Sequence, residues 1–237
     1  MKIGMIGGVG PESTIDYYQR LIKLYQEKIS GDDYPEIIIN SINMTAMLKL
    51  VADKDWDGLT GMLADALRAL QNAGVDLAFI ASNTPHMVFE KVKLASPIPL
   101  VSIVEAVRME AEKKGLKRVG LLGTLFTMQS SYYQAEFDKS GIAMVVPNEE
   151  EQQYIQQKLF SEIEHGVFFE ETRNGLLKII KRLIADESID GVVLGCTELP
   201  LILTKSEYGI PFLNTTEIHA QRIFDKFMEL SGGSISD

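Results

Sequence analysis

Cys196 and Ser82 are the two side chains whose type and position in the sequence suggest catalysis. Cys196, the one cysteine of the chain, lies in the segment GCTELP (195–200), which follows an apolar run at 192–194. Ser82 lies in ASNTPH (81–86), which follows an apolar run at 77–80. Each side chain is expected on a turn between a buried strand and a helix, where the helix N-terminus favours a thiolate. Since a free thiol has a pKa of about 8.5, a modest lowering would make Cys196 a usable base near neutral pH.

The neighbours of these two residues allow both catalytic and structural roles. A lone cysteine after a buried strand is often only a small core residue. The polar neighbours of Cys196 and its counterpart Ser82 favour a catalytic role instead. His86 follows Ser82 by four residues and is expected either to orient Ser82 or its loop, or to bind local backbone groups. Glu198 is expected either to polarise Cys196 or to cap its helix, with capping preferred.

The two segments belong to a longer internal repeat. KIGMIGG (2–8) is similar to RVGLLGT (118–124), and YYQ (17–19) recurs at 132–134. Ser82 then corresponds to Cys196, and the motif IP with its following glutamate recurs at 98–105 and 210–217. The matches keep their order and their offset decreases slowly, from 116 to 112 residues. The pattern indicates a duplication, in which equivalent strand ends carry Ser82 and Cys196.

Each half of the repeat predicts the element order β-α-β-α-β. Short apolar runs are typical of buried parallel strands, and the predicted strands are 3–6, 37–39, 77–80, 119–122, 143–146 and 192–194. Apolar residues at helical spacing predict helices between them, with stripes formed by Leu59, Leu63, Leu67 and Leu70 and by Leu176, Ile179, Ile180 and Leu183.

The predicted fold class is therefore α/β, with two similar lobes, each a parallel sheet flanked by helices. The N-terminal lobe is predicted to comprise 1–98 plus 213–237, including a last helix at about 216–230, and the C-terminal lobe 99–212. Ligands of such sheets bind beyond the carboxyl ends of the strands, so the active site is expected in a cleft between the lobes.

Composition narrows the classes of partner. Of 237 residues, 33 are acidic and 23 basic, and the formal net charge of −10 argues against a nucleic-acid partner. No run of 18 apolar residues predicts a membrane span, and the glycine-rich N-terminus does not resemble a signal peptide, so a cytoplasmic protein is expected. One cysteine and three separated histidines predict no metal site.

The sequence resembles the cofactor-independent aspartate/glutamate racemase superfamily, specifically its aspartate racemase branch. The resemblance covers nearly the whole chain and rests on the segments IGGVGPEST (6–14), SNTPH (82–86), LLGT (121–124) and GCTELP (195–200).

This resemblance implies proton transfer at the α-carbon of an amino acid by two opposing groups, without pyridoxal phosphate or another cofactor. Cys196 would be one acid/base and Ser82 would occupy the opposing position. His86 and Glu198 would support them, and a homodimer is implied because the family is often dimeric. The substrate-binding positions would be Gly8, Asn83, Thr84, Thr124 and Thr197.

Two departures from the family pattern leave alternatives open. Position 82 carries serine where the two-cysteine pattern has cysteine, and a hydroxyl is a much weaker acid than a thiol. The segments 40–45 and 163–166 lack the basic residues expected for a substrate's second carboxylate. The substrate side chain is therefore open, and so are two other functions: a single-thiol enzyme resembling arylmalonate decarboxylase, and a catalytically impaired binding protein.

A dinucleotide site at the glycine loop is disfavoured. The segment 8–10 has two of the three glycines of the dinucleotide fingerprint, but Ser13 stands in place of the third and Asn40 in place of the acidic residue.

Overall fold

The computed structural model describes residues 1–29 and 34–232. Their contacts divide the chain into two compact units, Met1–Ile103 with Thr216–Asp237 (unit 1) and Val104–Thr215 (unit 2). Within the described ranges, none of the helices has both the length and the apolar character needed to cross a membrane.

Unit 1 is built on a four-stranded parallel sheet with the order β2-β1-β3-β4. Its strands are β1 (Lys2–Gly7), β2 (Glu36–Ser41), β3 (Leu77–Ile80) and β4 (Leu100–Val101). Its helices are α1 (Pro11–Lys28), α2 (Met44–Ala52), α3 (Trp56–Asn72), the 3₁₀ helix Thr84–Val88, α4 (Phe89–Ala95) and α11 (Thr215–Leu230), which begins one residue before the unit. Because β1 and β3 lie inside the sheet with Ile6 beside Ile80, their ends are neighbours.

The apolar stripe of α3 forms much of one core of unit 1. Leu59, Leu63, Leu67 and Leu70 are each at most 1% exposed. The helix begins where the Asp55 carboxylate accepts a hydrogen bond from Gly58 N at 2.8 Å, which is the usual N-cap arrangement. A second core contains Tyr17 and Phe79 together with Ile223 and Phe227 of α11, so the last helix packs with unit 1.

Unit 2 repeats the same topology, with the order β6-β5-β7-β8. Its strands are β5 (Arg118–Leu122), β6 (Ala143–Val145), β7 (Gly191–Leu194) and β8 (Phe212–Asn214). Its helices are α5 (Ile103–Lys113), which begins at the last residue of the first segment of unit 1, α6 (Leu125–Gln129), α7 (Tyr132–Asp138), α8 (Glu149–Ser161), the 3₁₀ helix Ile163–His165, α9 (Glu170–Glu187) and α10 (Leu199–Ile202). Leu122 pairs with Leu194, so the ends of β5 and β7 are neighbours too.

The predicted α/β class with two similar lobes is confirmed by the identical strand orders of the two parallel sheets. The prediction of three strands in each half is wrong, because each sheet has four. The fourth strands, β4 and β8, were missed because they have only two and three residues. Both short strands pair inside their own unit, β4 with β3 and β8 with β7. The division of the chain consequently falls after Ile103 and after Thr215, a few residues later than the sequence prediction at 98 and 212.

The burial of the repeated tyrosines corrects one detail of the repeat. Tyr17 and Tyr133 are both fully buried, whereas Tyr132 is partly buried and begins α7. In burial, Tyr17 therefore matches Tyr133 rather than Tyr132, and Tyr132 has a different environment from either.

Two glycines allow the ends of β5 and β7 to approach each other. Gly195 N donates a hydrogen bond to Leu122 O at 2.6 Å. A Cβ built on Gly195 would lie 3.0 Å from that oxygen and 2.8 Å from Leu121 Cδ1, and a Cβ on Gly123 would lie 3.1 Å from Gly195 O. Side chains at these positions would separate the two strand ends.

We expect Gly195→Ala to lower the free energy of unfolding by about 1–3 kcal/mol, because the added methyl group meets backbone as well as a side chain. Gly61→Ala is the matched control: Gly61 lies within α3 with nothing near its missing Cβ, so alanine should raise the stability by up to about 1 kcal/mol. Urea unfolding of both variants measures the difference. A Gly195→Ala protein as stable as the wild type would contradict the close approach.

Candidate active site

The thiol of Cys196 lies against the carboxylate of Glu198, directly beyond β7. Cys196 Sγ donates a hydrogen bond to Glu198 Oε2 at 3.0 Å, and Thr197 Oγ1 donates to the same oxygen at 2.8 Å. Cys196 is only 7% exposed. One carboxylate oxygen therefore accepts hydrogen bonds from both the thiol and the hydroxyl group of the loop. Glu198 is placed to take the thiol proton when the sulfur acts as a base.

This environment raises the pKa of the Cys196 thiol well above its usual value. Burial is the main cause, followed by the negative charge of Glu198 and the thiol's hydrogen bond to it; the backbone of Glu198 acts weakly in the opposite direction. The expectation of a thiolate favoured by the helix N-terminus is wrong, because α10 has four residues and so short a helix contributes little dipole. The free protein therefore holds a protonated thiol at neutral pH.

The preferred sequence interpretation of Glu198, a helix cap, is also wrong. Glu198 occupies the N-cap position of α10 but makes no side-chain capping hydrogen bond. Its carboxylate binds Cys196 and Thr197 instead, which agrees with the other interpretation, that Glu198 acts on Cys196.

Glu164 adds a second acidic group to this part of unit 2, and sequence reasoning gave it no role. Its pKa is raised to about 7, first by burial and second by the charge of Glu198. The charge of Glu164 in turn contributes to the raised pKa of Cys196. The only sequence signal was indirect, since 163–166 lacks a basic residue where the family pattern has one. An acidic environment thus replaces the expected basic one.

Thr124 lies at the neighbouring strand end and caps α6. Its Oγ1 accepts a hydrogen bond from Thr127 N at 3.4 Å and lies 3.2 Å from Thr127 Oγ1. Since Gly123 and Gly195 join the ends of β5 and β7, unit 2 brings Thr124 to the same sheet edge as Cys196, Thr197 and Glu198.

Ser82 follows β3 on a turn in which two consecutive carbonyl groups accept hydrogen bonds from side chains. Ser13 Oγ donates to Ala81 O at 2.8 Å, and His86 Nδ1 bonds Ser82 O at 2.9 Å. Ser82 and Thr84 are partly exposed residues, while Asn83 is 4% exposed. His86 therefore orients the loop through the backbone of Ser82.

His86 is not a base for Ser82, because both of its ring nitrogens are engaged. Its Nε2 accepts a hydrogen bond from Ile103 N at 3.2 Å, so Nδ1 carries the proton and donates it to Ser82 O. Burial lowers the pKa of His86 to about 4, which keeps the ring neutral. Ser82 thus lacks the adjacent imidazole base that activates a nucleophilic hydroxyl.

Gly8 lies beyond β1, next to the end of β3. Its φ of +75° favours glycine, and a Cβ there would collide with the carbonyl oxygen of Ile42. Gly8 N donates to Thr14 Oγ1 at 2.9 Å, and Ala81 N donates to Ile6 O at 3.0 Å. Unit 1 therefore places the glycine loop and the Ser82 turn at one sheet edge.

A metal site has no support in the described residues. Within 1–29 and 34–232, no three His, Cys, Asp or Glu side chains are grouped so as to hold an ion.

We expect Glu198→Gln to accelerate alkylation of Cys196 by iodoacetamide at pH 8. Loss of the carboxylate charge lowers the pKa of the thiol, and each pKa unit gives about tenfold more thiolate below that pKa. The single cysteine makes the mass-spectrometric measurement unambiguous. Glu149→Gln, at the exposed start of α8, controls for net charge and should leave the rate unchanged. A rate for Glu198→Gln equal to that of the wild type would exclude charge control of the thiol.

We expect Glu164→Gln to stabilise the protein more at pH 8.5 than at pH 5. A carboxyl pKa of about 7 in the folded state, against 4.5 in the unfolded chain, means that stability decreases as the pH rises between these values. After discounting for solvent screening of a partly exposed group, the difference should be about 1 kcal/mol. Urea unfolding at both pH values tests this, and an equal gain at both would contradict it.

Comparisons with known proteins identify the family of this chain. The family described as Asp/Glu/Hydantoin racemase matches residues 6–223. The broad specificity amino-acid racemase RacX of Bacillus subtilis (strain 168) is 27% identical over 232 residues, which cover 95% of this chain and 98% of that protein.

Solved structures agree with this match. An aspartate racemase homologue from Pyrococcus horikoshii OT3 has 37% identity and a TM-score of 0.82, with 95% of this chain and 98% of that chain covered. The aspartate racemase of Picrophilus torridus, at 20% identity, shares the fold with a TM-score of 0.78 over 99% of this chain and 96% of that chain. The chain therefore belongs to the Asp/Glu/Hydantoin racemase family.

Proposed function

We propose that the protein is an amino-acid racemase that exchanges the α-proton of its substrate without an organic cofactor, with Cys196 as a catalytic acid/base. Membership of a racemase family implies an isomerase. The observation that carries the proposal is the hydrogen bond from Cys196 Sγ to Glu198 Oε2 at the end of β7, because it pairs a thiol with a group that can take its proton.

The raised pKa of Cys196 fits a base that is activated by its substrate. An amino acid brings a positively charged ammonium group, and a cation beside Glu198 offsets the negative charge that helps to keep the thiol protonated. The thiol proton passes to Glu198 or to solvent. The thiolate then takes the α-proton: the Cα–H bond breaks, an S–H bond forms, and the electron pair is delocalised into the substrate carboxylate. The Thr124 hydroxyl is proposed to bind that carboxylate.

Ser82 is proposed to serve the second face, as a donor or as a relay through water. Its hydroxyl is a poor base, because His86 is neutral and its ring nitrogens bind backbone groups. The two directions of racemisation should therefore differ in kcat, while the equilibrium constant ties the two kcat/KM values together. Ser82→Cys should raise kcat in the slower direction.

The acidic surroundings of Cys196 favour a neutral or cationic substrate side chain over a second carboxylate. Glu198 is in contact with the thiol, and the charge of Glu164 acts on it too. The relative that matches 95% of this chain is named a broad specificity amino-acid racemase. That name supports testing a panel of substrates rather than aspartate and glutamate alone. A homodimer remains a prediction.

A second candidate function follows from the single thiol. An enzyme that protonates one face of a carbanion after loss of carbon dioxide needs only Cys196, so an arylmalonate-decarboxylase-like activity is the alternative. Release of carbon dioxide from a malonate-type substrate, together with absence of α-proton exchange in amino acids, would favour it.

We expect the α-proton signal of at least one amino acid to disappear when the protein is incubated with it in D₂O and followed by proton NMR. The panel should contain both enantiomers of aspartate, glutamate, alanine, serine and lysine. Cys196→Ala should slow the exchange by about 10²–10⁴-fold, as expected for loss of a general acid/base. At pH 8, amino acids with neutral or cationic side chains should exchange their α-protons faster than aspartate does.

Two results would contradict the proposal. Exchange that survives Cys196→Ala would exclude Cys196 as the base, and no exchange across the panel would exclude these amino acids as substrates. Faster exchange of aspartate than of lysine would contradict the side-chain preference only.

A further inference from the structure

A chain of three hydroxyl groups leads to Thr124 from outside the predicted site. The phenol of Tyr132 donates a hydrogen bond to Thr127 Oγ1 at 3.3 Å, and Thr127 Oγ1 lies 3.2 Å from Thr124 Oγ1. Thr127 is 1% exposed and Tyr132 is partly buried. The sequence placed Tyr132 only in the repeated YYQ motif and predicted no function for it.

The 3.2 Å contact allows either threonine hydroxyl to be the donor, and counting protons favours one of the two directions. A hydroxyl has one hydrogen to donate and can accept two hydrogen bonds. Tyr132 uses its hydrogen on Thr127, and Thr127 is too buried to donate its own hydrogen to water. Donation to Thr124 Oγ1 gives that hydrogen an acceptor, whereas the opposite direction would leave it without Thr124 as a partner. Thr124 Oγ1 also accepts from Thr127 N. With both acceptor positions occupied, the Thr124 hydroxyl keeps its own hydrogen for a third partner.

The packing of Thr127 holds this arrangement in place. Its methyl carbon Cγ2 would lie 3.1 Å from a Cβ on Gly123 and 3.2 Å from a Cβ on Gly195, so it faces both strand-end glycines. A β-branched side chain has few accessible rotamers, and this contact selects the one that directs the hydroxyl to Thr124.

Tyr132 remains a donor because its proton is difficult to remove. Burial raises the pKa of the Tyr132 phenol, and the negative charge that Cys196 can carry raises it further. Formation of the thiolate therefore strengthens the hold of Tyr132 on its proton.

We infer that Tyr132 is a positioning residue of the site: acting through Thr127, it fixes the Thr124 hydroxyl as a hydrogen-bond donor to the carboxylate of the bound amino acid. A carboxylate only accepts hydrogen bonds, so a Thr124 hydroxyl turned the other way would present a lone pair to it. This inference rests on the proposed function, because it requires a substrate carboxylate at Thr124.

Kinetics of Tyr132→Phe with the best substrate of the amino-acid panel test the inference. A lost donor to a bound carboxylate weakens ground-state and transition-state binding alike, so KM should rise by about tenfold while kcat stays within about threefold of the wild type. Tyr154→Phe is the matched control, since Tyr154 is a tyrosine of the same unit whose hydroxyl lies over Gly175 and is not part of the hydroxyl chain. It should leave both constants unchanged.

The Thr127 variants separate a hydrogen-bond role from a packing role. Thr127→Val should raise KM like Tyr132→Phe, and the double variant should be no worse than Thr127→Val alone, because the chain is already broken. Thr127→Ser keeps the hydroxyl and should return KM most of the way to the wild-type value. If Tyr132→Phe does not fold, the KM values of Thr127→Val and Thr127→Ser are sufficient to test the hydrogen-bond role.

Three outcomes would overturn the inference. They are a KM of Tyr132→Phe equal to that of Tyr154→Phe, additive effects in the double variant, and a decrease in kcat with unchanged KM. If the wild type exchanges no α-proton but binds an amino acid in calorimetry, the proposed function fails while the inference is still tested by Kd. An equal Kd for Tyr132→Phe and wild type, or no amino-acid binding at all, would then overturn it.

Discussion

The hydrogen bond from Gly195 N to Leu122 O joins the ends of the two central strands of unit 2, and the candidate site depends on it. At 2.6 Å it leaves no room for side chains between the strand ends. Cys196 and Thr124 consequently start their loops from fixed points on one sheet edge. Thr127 packs against both glycines and lies within hydrogen-bond distance of Thr124, so it touches both strand ends.

Negative charge is the second constraint on the site. A buried thiol beside a carboxylate is a poor base in the free protein, because burial and the charge of Glu198 both raise its pKa. The same arrangement gives the thiol an acceptor for its proton and gives an ammonium group a counter-ion. Under the proposed function, reactivity would be coupled to the arrival of a cationic substrate group, and the single cysteine would stay in its less reactive thiol form until then.

Local sequence patterns predicted the elements whose residues are buried on a regular period. The stripe of α3 and the strand β3 are examples, since the four stripe leucines at 59, 63, 67 and 70 and all of Leu77–Ile80 are buried almost completely. The positions of Cys196 and Ser82 beyond their strands followed from those elements. β4 and β8 could not be recognised, because strands of two and three residues have no period.

The electrostatics of the site were less accessible from sequence than its location. The pKa of Cys196 depends on burial and on which way the Glu198 side chain turns, and neither is encoded in the spacing of residues 196 and 198. Glu164 is distant in sequence from Cys196 and affects it through space. Tyr132 was visible in the repeat, but its partner Thr127 was not. Unit 1 has one long helix, α1, in the equivalent region, whereas unit 2 has the two short helices α6 and α7. The contact between Tyr132 and Thr127 depends on this local difference.

The turns that follow β3 and β7 stand at equivalent places in the two sheets, but their chemistry differs. In unit 1, the carbonyl groups of Ala81 and Ser82 are bound by Ser13 and by a neutral His86, so the turn is held by uncharged groups. In unit 2, the turn after β7 is organised around the carboxylate of Glu198, which binds the side chains of Cys196 and Thr197. An uncharged turn that carries a hydroxyl can donate or relay a proton, whereas a charged turn that carries a thiol can also remove one. The asymmetry of the two halves therefore lies in the support of each turn as well as in the replacement of cysteine by serine.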